Sequence, residues 1–141
     1  MSAEPTTVSV GTQIPAFVVE QVSAEHIRML ALLLHDPNPI HFDVAAVTAA
    51  GLGDREVNQG GATMAYLYDM LIAWAGSRRC VRSLQCRFLA NVFAGDTVVA
   101  GGVVTAVRDE PGAREVDCDV WVDIERGARA VSGSATVAWP T

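Results

Sequence analysis

The hydrophobic positions of the chain change period more than once. From Gly11 to Val22, the residues Ile14, Phe17, Val18, Val19 and Val22 predict an extended segment, interrupted by Pro15. Ile27, Leu30, Ala31 and Leu34 then recur at helical spacing behind Ser23 as N-cap, with Glu25 and Arg28 on the other side. That helix must end before Pro37. Asp43 can cap a short helix over 44–50, closed by Gly51. The stretch Ala62–Ala75, ATMAYLYDMLIAWA, is apolar on every face, with Asp69 its only charge. A helix of that kind is buried on all sides, and it is too short to cross a bilayer. Something has to wrap it.

The second half of the chain supplies the wrapping. Four strand-like stretches, 81–92, 96–108, 113–125 and 128–139, are separated by turns at Ala94-Gly95-Asp96, Glu110-Pro111-Gly112 and Arg126-Gly127. In the third, Val116, Cys118, Val120, Val122 and Ile124 face one way, and Glu115, Asp117, Asp119, Asp123 and Glu125 the other. An antiparallel sheet with one dry side, curled around the apolar helix, satisfies both patterns. The expectation is one α+β domain over 1–141, with residues 1–10 loose.

Composition narrows the partners. Half of the 141 residues are hydrophobic, the net charge is -6, and all ten basic residues are arginine. An acidic chain without a basic stripe argues against nucleic acid. Cys80, Cys86 and Cys118 lack CxxC spacing and read as reduced thiols of a cytoplasmic protein. The start of the chain has Glu4 and no apolar signal-type run, and no apolar run approaches the ~18 residues of a membrane span. The three histidines have no metal-ligand spacing, so neither metal nor cofactor is expected.

The candidate chemistry lies between the first two helices, in Asp36-Pro37-Asn38-Pro39-Ile40-His41. Each proline fixes its own φ and keeps the preceding residue out of helical geometry, so Asp36 and Asn38 are held extended. A stiff connector that carries a carboxylate and an imidazole suits acid-base catalysis, where geometry comes before pKa. A proline-rich turn with a helix-capping aspartate accounts for the same residues equally well.

The order helix, DPNPIH, short helix, Val57-Asn58-Gln59-Gly60, apolar helix and long antiparallel sheet resembles the MaoC-type branch of the hot-dog fold, the (R)-specific enoyl-thioester hydratases and dehydratases. The resemblance runs from about Gly11 to Trp139. It implies a curved antiparallel sheet around a central helix, with Asp36 and His41 as catalytic dyad. It also implies that the Gly60 N–H serves the thioester oxygen, with Asn38, Gln59 and Gly61 near the substrate. Two departures stand out. Leu34-His35 replaces a small pair such as Ser-Gly before the motif, and Gln59 stands where the family often has histidine. The implied substrate is a trans-2-enoyl or 3-hydroxyacyl thioester of coenzyme A or acyl carrier protein. Of the two dyad members, His41 is preferred as base and Asp36 as protonating acid.

Other residues compete for function. Asp69 sits where a related hot-dog thioesterase would place a catalytic carboxylate; the preferred reading is a buried hydrogen-bond acceptor or a subunit-edge residue. A non-catalytic acyl-thioester-binding subunit of a heteromeric dehydratase is a further alternative. His26 reads as a surface residue, and His35 equally as a pocket-mouth residue or a plain loop residue. Arg78, Arg79, Arg82 and Arg87 form either a contact for phosphate or an acidic carrier, or a solvated face. One sheet leaves part of the central helix uncovered, including Tyr66, Met70 and Trp74 by spacing. A homodimer is therefore expected, with a heterodimer of two hot-dog chains as alternative.

Overall fold

A computed structural model describes residues 2–141. Strand β1 (Gln13–Val19) leads into helix α1 (Ala24–Leu33), capped by the Ser23 hydroxyl on the His26 N–H. A 3-10 turn (Pro39–His41) and helix α2 (Val44–Ala49), with Asp43 as N-cap, precede helix α3 (Gly60–Ala75). Strands β2 (Val81–Phe88), β3 (Val98–Glu110), β4 (Ala113–Ile124) and β5 (Arg129–Pro140) follow.

All five strands form one antiparallel sheet in the order β1-β3-β4-β5-β2. The strands β3, β4 and β5 are consecutive hairpins, whereas β2 joins the far edge beside β5. That join depends on Gly133: a Cβ there would collide with the Gln85 carbonyl oxygen. Pro15, which cannot donate to a ladder, sits on edge strand β1 where the register shifts between Ile14 and Phe17.

Helix α3 lies against the sheet and touches every strand. Its residues Leu67, Met70, Leu71, Trp74 and Ala75 are buried with Val104, Val116, Val120, Val131 and Val137. At its end Trp74 packs edge-on against Trp139, whose indole N–H donates to the Ala75 carbonyl at 3.1 Å. The expected alternation of β4 is present: Val116, Cys118, Val120 and Val122 are buried, and Asp117 and Glu115 pair with Arg108 outside.

Three expectations need correction. Met70 and Trp74 are buried and Tyr66 is partly so; the open face of α3 instead carries Gly61, Ala65, Tyr68, Asp69 and Ala73. Within residues 2–10 the chain is anchored at two points, with Val8 in the core and the Ala3 N–H on the Trp74 carbonyl at 2.7 Å. The first long strand stops at Phe88, because residues 92–94 leave the sheet to pair with the segment ahead of α3.

Candidate active site

The short segment Glu56-Val57-Asn58 holds the site together, mostly through its backbone. The Val57 N–H donates to the Ile40 carbonyl at 3.0 Å. On the other side, the Asn58 N–H donates to Val92 O at 2.8 Å, and the Ala94 N–H to Glu56 O at 2.9 Å. The Glu56 carboxylate meets Arg28 of α1 at 2.6 Å. One extended segment thus fixes α1, the proline motif and the loop after β2 relative to the start of α3.

His41 is anchored to this segment. It is 7 % exposed, and its Nδ1 lies 2.6 Å from the Val57 carbonyl oxygen. A carbonyl oxygen only accepts, so Nδ1 carries hydrogen and the neutral ring leaves Nε2 as a base. Nε2 lies 3.3 Å from Asp36 Oδ2, and the Asp36 side chain is 32 % exposed. No aligned hydrogen bond joins the two side chains, which leaves both facing atoms available to a shared water.

Asp36 is placed by the end of α1. Helix α1 stops with the His35 N–H on Leu32 O (3.2 Å) and the Asp36 N–H on Ala31 O (2.9 Å), the double bond of a Schellman stop. The stop puts His35 in the left-handed region, at φ 51°. Asp36 Oδ1 then accepts the Asn38 N–H at 3.0 Å, and Asn38 Oδ1 accepts the Ile40 N–H at 3.3 Å. The side chains of the motif thus stiffen its backbone, and Asn38, expected near substrate, is exposed and caps the turn instead.

Gln59 also differs from expectation. It is 3 % exposed, and its Nε2 donates to the Ile27 carbonyl at 2.8 Å, while its Oε1 is buried without a partner. Because the side chain is committed to α1, it gives α3 no cap. The N–H groups of Gly60, Gly61 and Ala62 consequently have no acceptor among the described residues. Unpaired N–H groups at a helix start, with the helix dipole behind them, attract negative charge.

An apolar groove of about 410 Å³ starts at Gly61 and Ala62 and runs between α1 and α3 past Leu30, Leu34 and Ala65 to Tyr66 and Asp69. Neither Asp36 nor His41 lines it; Asn58, the neighbour of Val57, does. The Asn58 amide donates to Thr63 Oγ1 (3.0 Å) and Tyr66 Oη (3.3 Å). Burial raises the Tyr66 pKa, the Asn58 hydrogen bond opposes this, and the Asp69 charge adds to it, so the phenol is a neutral donor. Asp69 is exposed at the groove's far end, and His26, expected at the surface, is exposed and borders the same groove. His35 stays outside it; Asp36 and His35 border a smaller apolar hollow with Ala31, Leu32 and Phe42. Arg78, Arg79, Arg82 and Arg87 are exposed on β2 and its lead-in, with no carboxylate partner among the described residues. Sequence reasoning passed over Glu56 and Phe88 and named Val57 only as part of a motif, although all three frame the site.

A five-stranded antiparallel sheet packed on one central helix, with the motif loop at the helix start, defines a hot-dog fold. The solved structures agree. The (R)-hydratase from A. caviae involved in PHA biosynthesis superposes with a TM-score of 0.82 at 24% identity, covering 95% of this chain and 98% of its own. The ChsH1-ChsH2 complex from Mycobacterium tuberculosis gives 0.78 at 21% identity, covering 96% and 100%. R-hydratase PhaJ1 from Pseudomonas aeruginosa gives 0.79 at 20%, covering 96% and 84%. No curated protein matches. Residues 6–123 match the MaoC like domain, and the chain belongs to that family.

Proposed function

We propose that the protein is an (R)-specific hydratase or dehydratase of trans-2-enoyl and 3-hydroxyacyl thioesters, carried on coenzyme A or acyl carrier protein. The observation that carries this reading is the His41 ring, fixed through Nδ1 on Val57 O with Nε2 turned to Asp36. In hydration, His41 Nε2 takes a proton from water as its oxygen bonds to C3. The electron pair of the double bond moves onto the thioester oxygen, where the N–H groups of Gly60 and Gly61 stabilise it. The Asp36 carboxyl then protonates C2. A proton passing from His41 back to Asp36 across their 3.3 Å contact restores the starting state. Dehydration runs the same steps in reverse.

The acyl chain lies in the groove along α3. Asp69 is nine residues beyond Gly60, about 13 Å along the helix, and so lies outside the proposed reacting centre. The heteromeric alternative is favoured by one observation, that a two-chain ChsH1-ChsH2 complex is among the similar structures. The test is turnover of trans-2-enoyl coenzyme A thioesters of graded length by purified protein, with chiral analysis of the product. Formation of (R)-3-hydroxyacyl thioester supports the reading. Hydrolysis to free acid, or no reaction with any member, contradicts it.

A further inference from the structure

Helix α3 runs away from the site and β2 runs back, so the end of β2 returns to the helix start. There, the Phe88 ring points at Gly60. A Cβ built on Gly60 would sit 3.3 Å from Phe88 Cζ, 3.4 Å from Cε1 and 3.7 Å from Cε2. The ring is nonetheless 51 % exposed. Its backbone is held firmly, because Phe88 pairs with Val131 in the sheet and the Leu89 N–H bonds to Ala130 O at 2.8 Å. Four residues later the same chain clamps Asn58 through Val92. Phe88 and Gly60 are therefore two sides of one rigid frame, not a chance contact between mobile surfaces.

We infer that Phe88 is a positioning residue, an aromatic wall that fixes Gly60 and shields one side of the unpaired N–H groups at the start of α3. The inference rests on the reading of those N–H groups as donors to the thioester oxygen. Two physical effects follow. The ring holds the helix start in place, so the donors need no reorganisation as charge develops on the oxygen. It also excludes water from one side of that oxygen, which strengthens the interaction by lowering the local dielectric. A glycine at position 60 is what lets the ring come this close. Any larger residue must push the ring by a few tenths of an ångström or tilt the helix start.

The test is a double-mutant cycle with Phe88→Ala, Phe88→Tyr and Gly60→Ala, read as kcat and KM on a short trans-2-enoyl coenzyme A thioester. Wild-type turnover is measured first; its absence overturns the hydratase reading and this role with it. Given turnover, Phe88→Ala is expected to lower kcat about tenfold with KM within about twofold, less than the ~10² of a 1 Å misplacement. Phe88→Tyr keeps the wall and restores kcat. Gly60→Ala is expected to be costly alone and to add about twofold or less once Phe88 is alanine. If Phe88→Ala does not fold, Phe88→Leu takes its place in the cycle. Unchanged kcat in the alanine or leucine variant, or fully additive costs of the two substitutions, overturns the inference.

Discussion

The His41 ring takes its orientation from Val57, sixteen residues further along the chain, through a 2.6 Å contact between Nδ1 and the Val57 carbonyl oxygen. The same residue's N–H bonds back to Ile40, so the motif loop is held at two points by one peptide segment. The imidazole is therefore oriented by backbone that is itself pinned to the loop after β2. A side-chain orienter can be deleted by substitution, but this one cannot. The bond also fixes which ring nitrogen is free for chemistry.

The stop of α1 carries a cost that can be removed. His35 holds the left-handed position of the stop at φ 51°, while α2 ends in the same way with Gly51 at φ 71°. His35→Gly is expected to stabilise the protein by about 0.5–1 kcal/mol, since relief of the steric clash exceeds the added freedom of the unfolded chain. Turnover is expected to stay within about twofold, because the backbone bonds that place Asp36 are unchanged. Urea denaturation and kinetics of the variant check both.

Arg28 neutralises a nearly buried carboxylate that sits one residue before Val57. Removing it strands Glu56, whose side chain is only 12% exposed. Arg28→Ala is expected to cost about 1–3 kcal/mol, the penalty of a buried polar group left unpaired. Arg28→Ala/Glu56→Gln is expected to recover part of that loss. Denaturation midpoints of the two variants decide it, and equal losses would show that the ion pair does not secure the segment.

The Cys118 thiol faces the core from β4. Burial, with the charges of Asp117 and Asp119 behind it, pushes its pKa up to about 12. A pKa raised in the folded state means that the unfolded chain releases this proton first as pH rises. The stabilisation is complete below about pH 8.5, the ordinary thiol value, and is lost as pH climbs toward 12. Between those limits wild-type stability is expected to fall more steeply than that of Cys118→Ala, by up to about 1.4 kcal/mol per pH unit. Parallel slopes in denaturation series at pH 8 to 11 would contradict the assignment.

Assembly follows from what the fold leaves open. Edge strand β2 has one unpaired side, its end exposes Phe88 and Leu89, and α3 exposes Ala65, Tyr68 and Ala73. An unpaired edge beside apolar side chains invites a partner strand. A dimer is therefore expected by sedimentation at micromolar concentration, and Leu89→Glu at the exposed end of that edge is expected to weaken it. A monomer with full activity would refute the interface.

Much of this architecture was legible in the chain. The alternation of β4 and the apolar run of α3 specify a one-sided sheet and a covered helix, and the two prolines mark the loop that brings Asp36 to His41. What stayed hidden has physical causes. A helix apolar on every face has no phase, so Met70 and Trp74 could not be told from Tyr68 and Ala73 as inward residues. The β2–β5 join links segments far apart in sequence through a glycine that only the packed sheet explains. The Val57 contacts run through backbone, which has no residue-type signature. Gln59 looked like a substrate contact because of its place before Gly60, and only the packing of α1 shows its amide committed to Ile27.

The central claim is that Asp36 and His41 exchange one proton pair with water and the enoyl carbon. The most direct measurement is the hydration rate of a trans-2-enoyl thioester by Asp36→Asn and His41→Ala, each verified as folded by its denaturation profile. Loss of a group acting in acid-base catalysis lowers the rate by at least ~10²-fold. The account predicts a loss of that size in each variant, and a double variant scarcely worse than either one, because the two act on the same proton. Near-normal turnover in both folded single variants would contradict it.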